Sequence, residues 1–105
     1  MNKTNGKYRN VFYVIQVHPS IPGELKLGRS RDLSKRLRPY KTLCPRLKLL
    51  RLYRVQPQAE KPAIAFLFSL PGSQRISAEV VQVADTTDFL VQCDNYFGKK
   101  RKTTV

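Results

Sequence analysis

The residues best suited to bind an anionic ligand lie in one short stretch in the first half of the chain. Tyr13 offers a phenol, Lys26 an ammonium group and Arg36 a guanidinium group. The guanidinium donors form a fixed fork that matches the oxygens of a phosphate, whereas lysine binds phosphate as a point charge. Other cations nearby are expected to contact phosphate rather than to catalyse: Arg29, Arg31, Lys35 and Arg38. These residue types predict a phosphate-binding site.

The net charge of the chain indicates a polyanionic partner. Twenty Lys and Arg stand against seven Asp and Glu, a formal charge of +13. Eleven of the basic residues and only one acid, Asp32, lie between Lys26 and Arg54. A solvated face that promotes solubility is the other explanation, but the clustering favours nucleic acid. Affinity is then expected to fall steeply with salt, because bound phosphates release counterions.

A hairpin followed by a helix must position these groups. Residues 11–15 form an apolar, β-branched and aromatic run, and a connector rich in Pro and Gly at 18–23 leads to a second strand at 24–28. A helix is predicted to begin near Asp32, and Pro39 predicts that it stops or kinks near Arg38. This arrangement would bring Tyr13, Lys26, Arg31 and Arg36 to one surface.

The remaining elements complete a small domain. Residues 46–55 read as a third strand with strictly alternating faces, 63–68 as a buried helix with Pro62 in its first position, and 76–83 as a possible further strand. A last helix is predicted from a cap at residues 85–88 to Phe97, closed by Gly98. We expect an α/β (α+β) fold with a small, central, mostly antiparallel three-stranded sheet flanked by helices. Residues 1–10 are expected to be a flexible leader, 11–98 the domain and 99–105 a disordered basic tail.

The stretch from Val11 to Arg36 resembles the core of the GIY-YIG nuclease superfamily, in its compact phage and bacterial branch. Val11-Phe12-Tyr13 lies where the first tripeptide belongs, and Lys26-Leu27-Gly28 lies at the second. The run from Gly28 to Arg36, with the arginine eight residues after the glycine, is similar to the start of the family's helix. The resemblance covers about residues 12–55. Val11 replaces the glycine of the first motif, and Lys26 replaces the tyrosine of the second.

The resemblance implies a metal-dependent endonuclease that hydrolyses DNA phosphodiester bonds. In that family the first-motif tyrosine, here Tyr13, contacts or deprotonates the attacking water, and the helix arginine, here Arg36, stabilises the pentacovalent phosphate. One divalent ion, Mg²⁺ or Mn²⁺, would be held by a glutamate. Glu60 is the first candidate and Glu79 the second. With a helix starting at Pro62, Glu60 would lie outside it, where an interaction with the helix dipole explains it equally well.

Two site residues have plainer roles. Lys26 cannot supply a phenol, so it is assigned to substrate binding. Gly28 has no side chain, which lets a ligand approach where the strand passes to the helix; an ordinary turn glycine is the alternative. His18 is expected at the surface. The two cysteines, Cys44 and Cys93, lack CxxC spacing and predict no zinc site.

Two further functions stay open at this point. The substitutions at Val11 and Lys26 suggest a GIY-YIG-like domain that binds nucleic acid without cutting it. Charge and size alone also fit a small basic RNA-binding protein. We expect an intracellular protein, because no apolar signal segment or membrane-spanning run is present. The sequence leaves the oligomeric state and any separate specificity partner open.

Overall fold

The computed structural model describes residues 10–98, which form an α+β fold with one antiparallel sheet and three helices. The strands are β1 (Val11–Gln16), β2 (Glu24–Ser30), β3 (Lys48–Arg54), β4 (Ser73–Arg75) and β5 (Val80–Val83). The helices are α1 (Leu33–Leu43), α2 (Glu60–Phe68) and α3 (Thr86–Phe97), and a 3₁₀ turn, Pro57–Ala59, precedes α2. The predictions for the leader, apart from Asn10, and for the basic tail lie outside the described residues.

The sheet has five strands in the order β3-β1-β2-β5-β4, not the three predicted. The predicted hairpin is confirmed, and Tyr13 stands directly opposite Gly28 in its register. The suggested strand at 76–83 forms only over Val80–Val83, which pairs with β2. The edge strand β4 was missed because Ser73-Gln74-Arg75 is short and carries no apolar alternation.

A β-bulge interrupts the alternation predicted for the third strand. Val14 pairs with Arg51, but the next residue, Ile15, pairs with Leu49, so Leu50 is the extra residue on β3. Leu49 and Leu52 therefore both pack on the face covered by α1, and Leu50 packs on the opposite face. The prediction of strict alternation was wrong at this point.

Helix α1 begins as predicted and ends later than predicted. The Asp32 carboxylate accepts a hydrogen bond from the backbone N–H of Lys35 at 3.1 Å, which caps the first turn. The helix then continues through Pro39 to Leu43, so it does not stop near Arg38, and the alternative of a kink there stays a prediction. Pro39 removes one backbone donor on the exposed side, while Leu33 and Leu37 anchor the opposite side in the core.

The other two helices also compare directly with the sequence predictions. Helix α2 begins at Glu60, so Pro62 lies within its first turn, where its missing N–H costs no intrahelical bond. The prediction that Glu60 lies outside the helix was wrong. Helix α3 is confirmed: Asp85 accepts from the N–H of Asp88 at 3.0 Å, and Gly98 ends the helix at φ 75°. No helix within residues 10–98 is long and apolar enough to cross a membrane.

Two hydrophobic cores lie on opposite faces of the sheet. The larger core, between the sheet and helices α2 and α3, includes Phe12, Leu27 and Leu67. The smaller core, between the sheet and α1, consists of Val11, Tyr13, Ile15, Leu33, Leu37 and Leu52. We refer to these sides as the α2–α3 face and the α1 face.

Candidate functional site

The hairpin places two of the predicted site side chains on the α1 face. Tyr13 points into the smaller core and has no exposed surface. Lys26 lies two residues from Gly28, the partner of Tyr13, and therefore extends on the same side of β2. Burial raises the pKa of Tyr13, while the positive charges of Lys26 and Arg36 oppose that rise. The phenol and the helix guanidinium thus lie within electrostatic reach of each other on one face.

The space beside Gly28 is occupied by the phenol of Tyr13. A β-carbon at position 28 would lie 2.6 Å from the Tyr13 Oη atom, closer than real contacts allow. The missing side chain therefore accommodates a protein ring, where the sequence had predicted the approach of a ligand. The Tyr13 hydroxyl is buried and has no hydrogen-bond partner among the described residues. In this conformation it is closed to an attacking water.

Lys26 is held by the carboxylate of Glu79, which the sequence had offered as the second candidate for a metal ligand. Its Nζ donates to Glu79 Oε1 at 2.6 Å, and it lies 5.5 Å from the centroid of the Tyr40 ring. Burial alone would lower the pKa of Lys26, but the hydrogen bond and the charge of Glu79 raise it overall. Lys26 therefore stays an ammonium ion and is not suited to act as a general base.

A basic hollow of about 490 Å³ opens where β2 passes into α1. We call it the basic hollow, and its lining comprises Arg29, Ser30, Arg31, Asp32, Lys35, Arg36 and Pro39. Arg31, Lys35 and Arg36 are exposed, and no carboxylate within residues 10–98 forms an ion pair with them. Arg38 is also exposed on α1 but does not line the hollow. The structure thus brings together four of the predicted phosphate-binding cations.

Arg29 differs from the other cations of the basic hollow. Its Nη1 donates to Asn10 Oδ1 at 3.1 Å, and its Nε lies 4.0 Å from Glu60 Oε1. Its side chain is mostly buried, so these two partners restrict its movement. Arg29 forms a wall of the hollow, whereas its exposed neighbours can reach a bound anion.

The described residues do not fit the divalent ion that the family resemblance implies. Glu60 lies beside Arg29, and Glu79 is bound to Lys26, so each candidate carboxylate already has a cation as its partner. Within residues 10–98 no group of three or more His, Cys, Asp or Glu side chains could hold a metal ion. A metal at either glutamate would first have to break an ion pair.

Sequence reasoning missed two features of this face. The contact between Lys26 and Glu79 joins residues 53 positions apart, and only the scarcity of acids in the chain could have drawn attention to Glu79. The second is a hollow beside Tyr40, a half-buried residue that also packs against the smaller core. His18 is exposed as predicted and also lines this second hollow.

Comparison with known proteins gives no relative: no family model, no curated protein and no solved structure matches this chain.

Proposed function

We propose that this domain binds nucleic acid through the phosphate backbone, at the basic hollow between β2 and α1. The observation that carries this proposal is the hollow itself, where Arg31, Lys35 and Arg36 are exposed and have no carboxylate partner among residues 10–98. An arginine can bind two phosphate oxygens at once, and three unpaired cations around one concave surface repel each other until a polyanion neutralises them.

The distribution of charge over the molecule supports the same surface. Helix α1 carries Lys35, Arg36, Arg38 and Lys41 with no acid, whereas α3 carries two aspartates and no Lys or Arg. The one acid that lines the basic hollow, Asp32, already accepts the capping hydrogen bond from Lys35. A polyanion would therefore be attracted to the α1 face and oriented away from α3.

Salt-dependent binding tests this proposal. Affinity for a short DNA is measured by fluorescence anisotropy at several salt concentrations for wild type, Arg31→Ala, Lys35→Ala and Arg36→Ala. Each variant is expected to weaken binding and to reduce the slope of log affinity against log salt by about one, since one phosphate contact is lost.

The matched control is Lys61→Ala, which removes an exposed cation from α2 on the other side of the sheet. It changes the net charge by the same amount and is expected to leave the slope within about a third of a unit of wild type, because it removes no phosphate contact. If Lys61→Ala lowers affinity and slope as much as Arg36→Ala does, attraction is spread over the whole surface and the basic hollow is not the site.

Hydrolysis of the bound strand is a second candidate function, favoured by the position of Tyr13 and Arg36 on one face. Arg36 would stabilise charge on the phosphate, and the phenol would have to become accessible before it could contact water. Two observations weigh against this candidate: the burial of the Tyr13 hydroxyl and the pairing of Glu60 and Glu79 with cations.

A nicking assay separates the two candidates. Plasmid is incubated with the protein in Mg²⁺, Mn²⁺ or EDTA, and the variants Tyr13→Phe, Arg36→Ala and Glu60→Ala are compared. Metal-dependent nicking that Arg36→Ala abolishes would establish the nuclease. Salt-sensitive binding without nicking is the result expected of a binding module. Preference for folded RNA with no effect of Arg36→Ala would instead favour an unrelated RNA-binding protein.

A further inference from the structure

A second hollow lies on the same face, and residues of α1 line both hollows. It has a volume of about 330 Å³, within the range of small-molecule pockets, and its lining includes Tyr40, Ile76, Val80, Lys26 and His18. We propose that this hollow, the base hollow, takes an unpaired nucleobase of the strand whose phosphates occupy the basic hollow. The inference rests on the proposed function and adds the kind of strand that is bound.

The two hollows border the same stripe of α1. Arg36 and Pro39 line the basic hollow, and Tyr40 lines the base hollow. These three residues stand at i, i+3 and i+4, so their side chains are neighbours along one side of the helix. A strand with a phosphate at Arg36 therefore reaches Tyr40 within one helical turn, about 5 Å along the axis.

The walls of the base hollow suit a flat, partly polar ring. Tyr40 supplies an aromatic surface from α1, and apolar surface comes from Ile76, in the segment before β5, and from Val80, the first residue of β5. Ile76 is 51% exposed, although it is a large aliphatic residue packed in neither core. The lining also includes hydrogen-bonding groups from Lys26, His18 and Ser77 and the carboxylate of Glu24. Apolar walls with polar groups at the edge are the surroundings that a stacked base requires.

A base that is already paired cannot enter this hollow. In a duplex both faces of each base are covered by its neighbours, whereas Tyr40 and Ile76 require those faces to be free. The base hollow is therefore specific for single strands, or for bases that project from a duplex, and the basic hollow binds any phosphate backbone.

The inference is tested by measuring the affinity for two oligonucleotides of equal length, one single-stranded and one fully paired. Tyr40→Ala is expected to weaken binding of the single strand about tenfold, the typical effect of losing one base–aromatic stack, and binding of the duplex less than twofold. Tyr40→Phe keeps the ring and is expected to stay within about twofold of wild type for both. Ile76→Ser, at an exposed position, is expected to weaken only the single strand, by about threefold.

Tyr96→Ala is the control variant, because Tyr96 is also a partly exposed helical tyrosine but stacks on Phe66 on the α2–α3 face. Thermal unfolding of each variant checks that it is folded. An abasic oligonucleotide gives a second test. It should bind wild-type protein about tenfold more weakly than the normal single strand does, and it should bind wild type no more tightly than it binds Tyr40→Ala.

The outcomes separate this inference from the proposed function. If wild type binds both oligonucleotides and Tyr40→Ala changes neither affinity, or changes both equally, the proposal that the base hollow binds a nucleobase is wrong. The proposed binding of the phosphate backbone then still stands. If the abasic strand binds wild type as tightly as the normal strand, the inference is overturned whatever the variants do. If wild type binds neither oligonucleotide, the proposed function itself fails and the inference fails with it.

Discussion

The two faces of the sheet differ in how much apolar surface they bury. Among residues 10–98, the α2–α3 face buries thirteen residues in one core, including Phe12, Leu67 and Val81, whereas the α1 face buries six. Hydrophobic stabilisation grows with the apolar area removed from water, so most of it comes from the α2–α3 face. The exposed cations of α1, Lys35, Arg36, Arg38 and Lys41, lie on the other side. The difference shows that most of the buried apolar surface can lie on one face of a small domain while a cationic helix covers the other.

Two buried tyrosines on adjacent strands, one on each face, differ in how their hydroxyl groups are hydrogen-bonded. Tyr53, on the α2–α3 face, donates to Asp94 Oδ1 at 2.6 Å, and Arg51 Nε donates to the same oxygen at 3.2 Å. Burial and this hydrogen bond raise the pKa of Tyr53. Tyr13, on the α1 face, is equally buried and its hydroxyl has no partner within residues 10–98. Of these two buried hydroxyl groups, the one on the α2–α3 face is hydrogen-bonded, and the one on the α1 face has no partner among residues 10–98.

The largest effect is expected from truncating a leucine on each face. Leu67→Ala should lower the free energy of unfolding by about 3–4 kcal/mol, because Leu67 is fully buried in the larger core. Leu37→Ala should cost about 2 kcal/mol, because the smaller core can collapse around the change. Urea unfolding measures both. Equal losses would refute the claim that the α2–α3 face carries most of the stability.

Removing one tyrosine hydroxyl at a time sharpens the comparison. Tyr53→Phe should cost about 2 kcal/mol, since it deletes a hydrogen bond to the buried carboxylate of Asp94. Tyr13→Phe should be neutral or stabilising by up to about 1 kcal/mol, since it deletes a buried hydroxyl without a partner. Each variant serves as the control for the other. A destabilised Tyr13→Phe would mean that the hydroxyl does have a partner in solution.

The smallest effect concerns pH and the thiol of Cys93. Burial raises the pKa of Cys93 from 9.0 to about 12. Between these values the unfolded chain releases the thiol proton and the folded chain keeps it, so stability falls as pH rises. The loss should reach roughly 1 kcal/mol between pH 8 and pH 10. In Cys93→Ala this part of the pH dependence should disappear when urea unfolding is repeated at both values. An unchanged slope would assign the alkaline loss to other groups.

Local signals in the sequence predicted much of the fold correctly. The capping aspartates, Asp32 and Asp85, and the closing Gly98 lie where the pattern placed them, because caps depend on residues within one turn. The hairpin was also predictable from a turn between two apolar runs. The helix continues past Pro39 because Leu33 and Leu37 anchor its buried side, and residue propensity alone does not show such packing. The fold class was right and the number of strands was too small.

The site was predicted less completely, since its key contacts join distant parts of the chain. Nothing near Lys26 in the sequence shows that Glu79 pairs with it, and nothing near Glu60 shows that Arg29 lies beside it. The grouping of Arg31, Lys35 and Arg36 was accessible because all three belong to one strand–helix junction. Long-range ion pairs decide which charges remain available, and a single sequence does not display them.

Because Tyr13 approaches Gly28 so closely, a substitution at position 28 would affect the packing on the α1 face. Because even one methyl group there would collide with the end of the phenol, alanine could be accommodated only if the ring swung outward. A swing of that kind would disturb the packing of Tyr13 in the smaller core. The missing β-carbon of Gly28 in β2 therefore determines how deeply the ring of Tyr13 in β1 lies in the core.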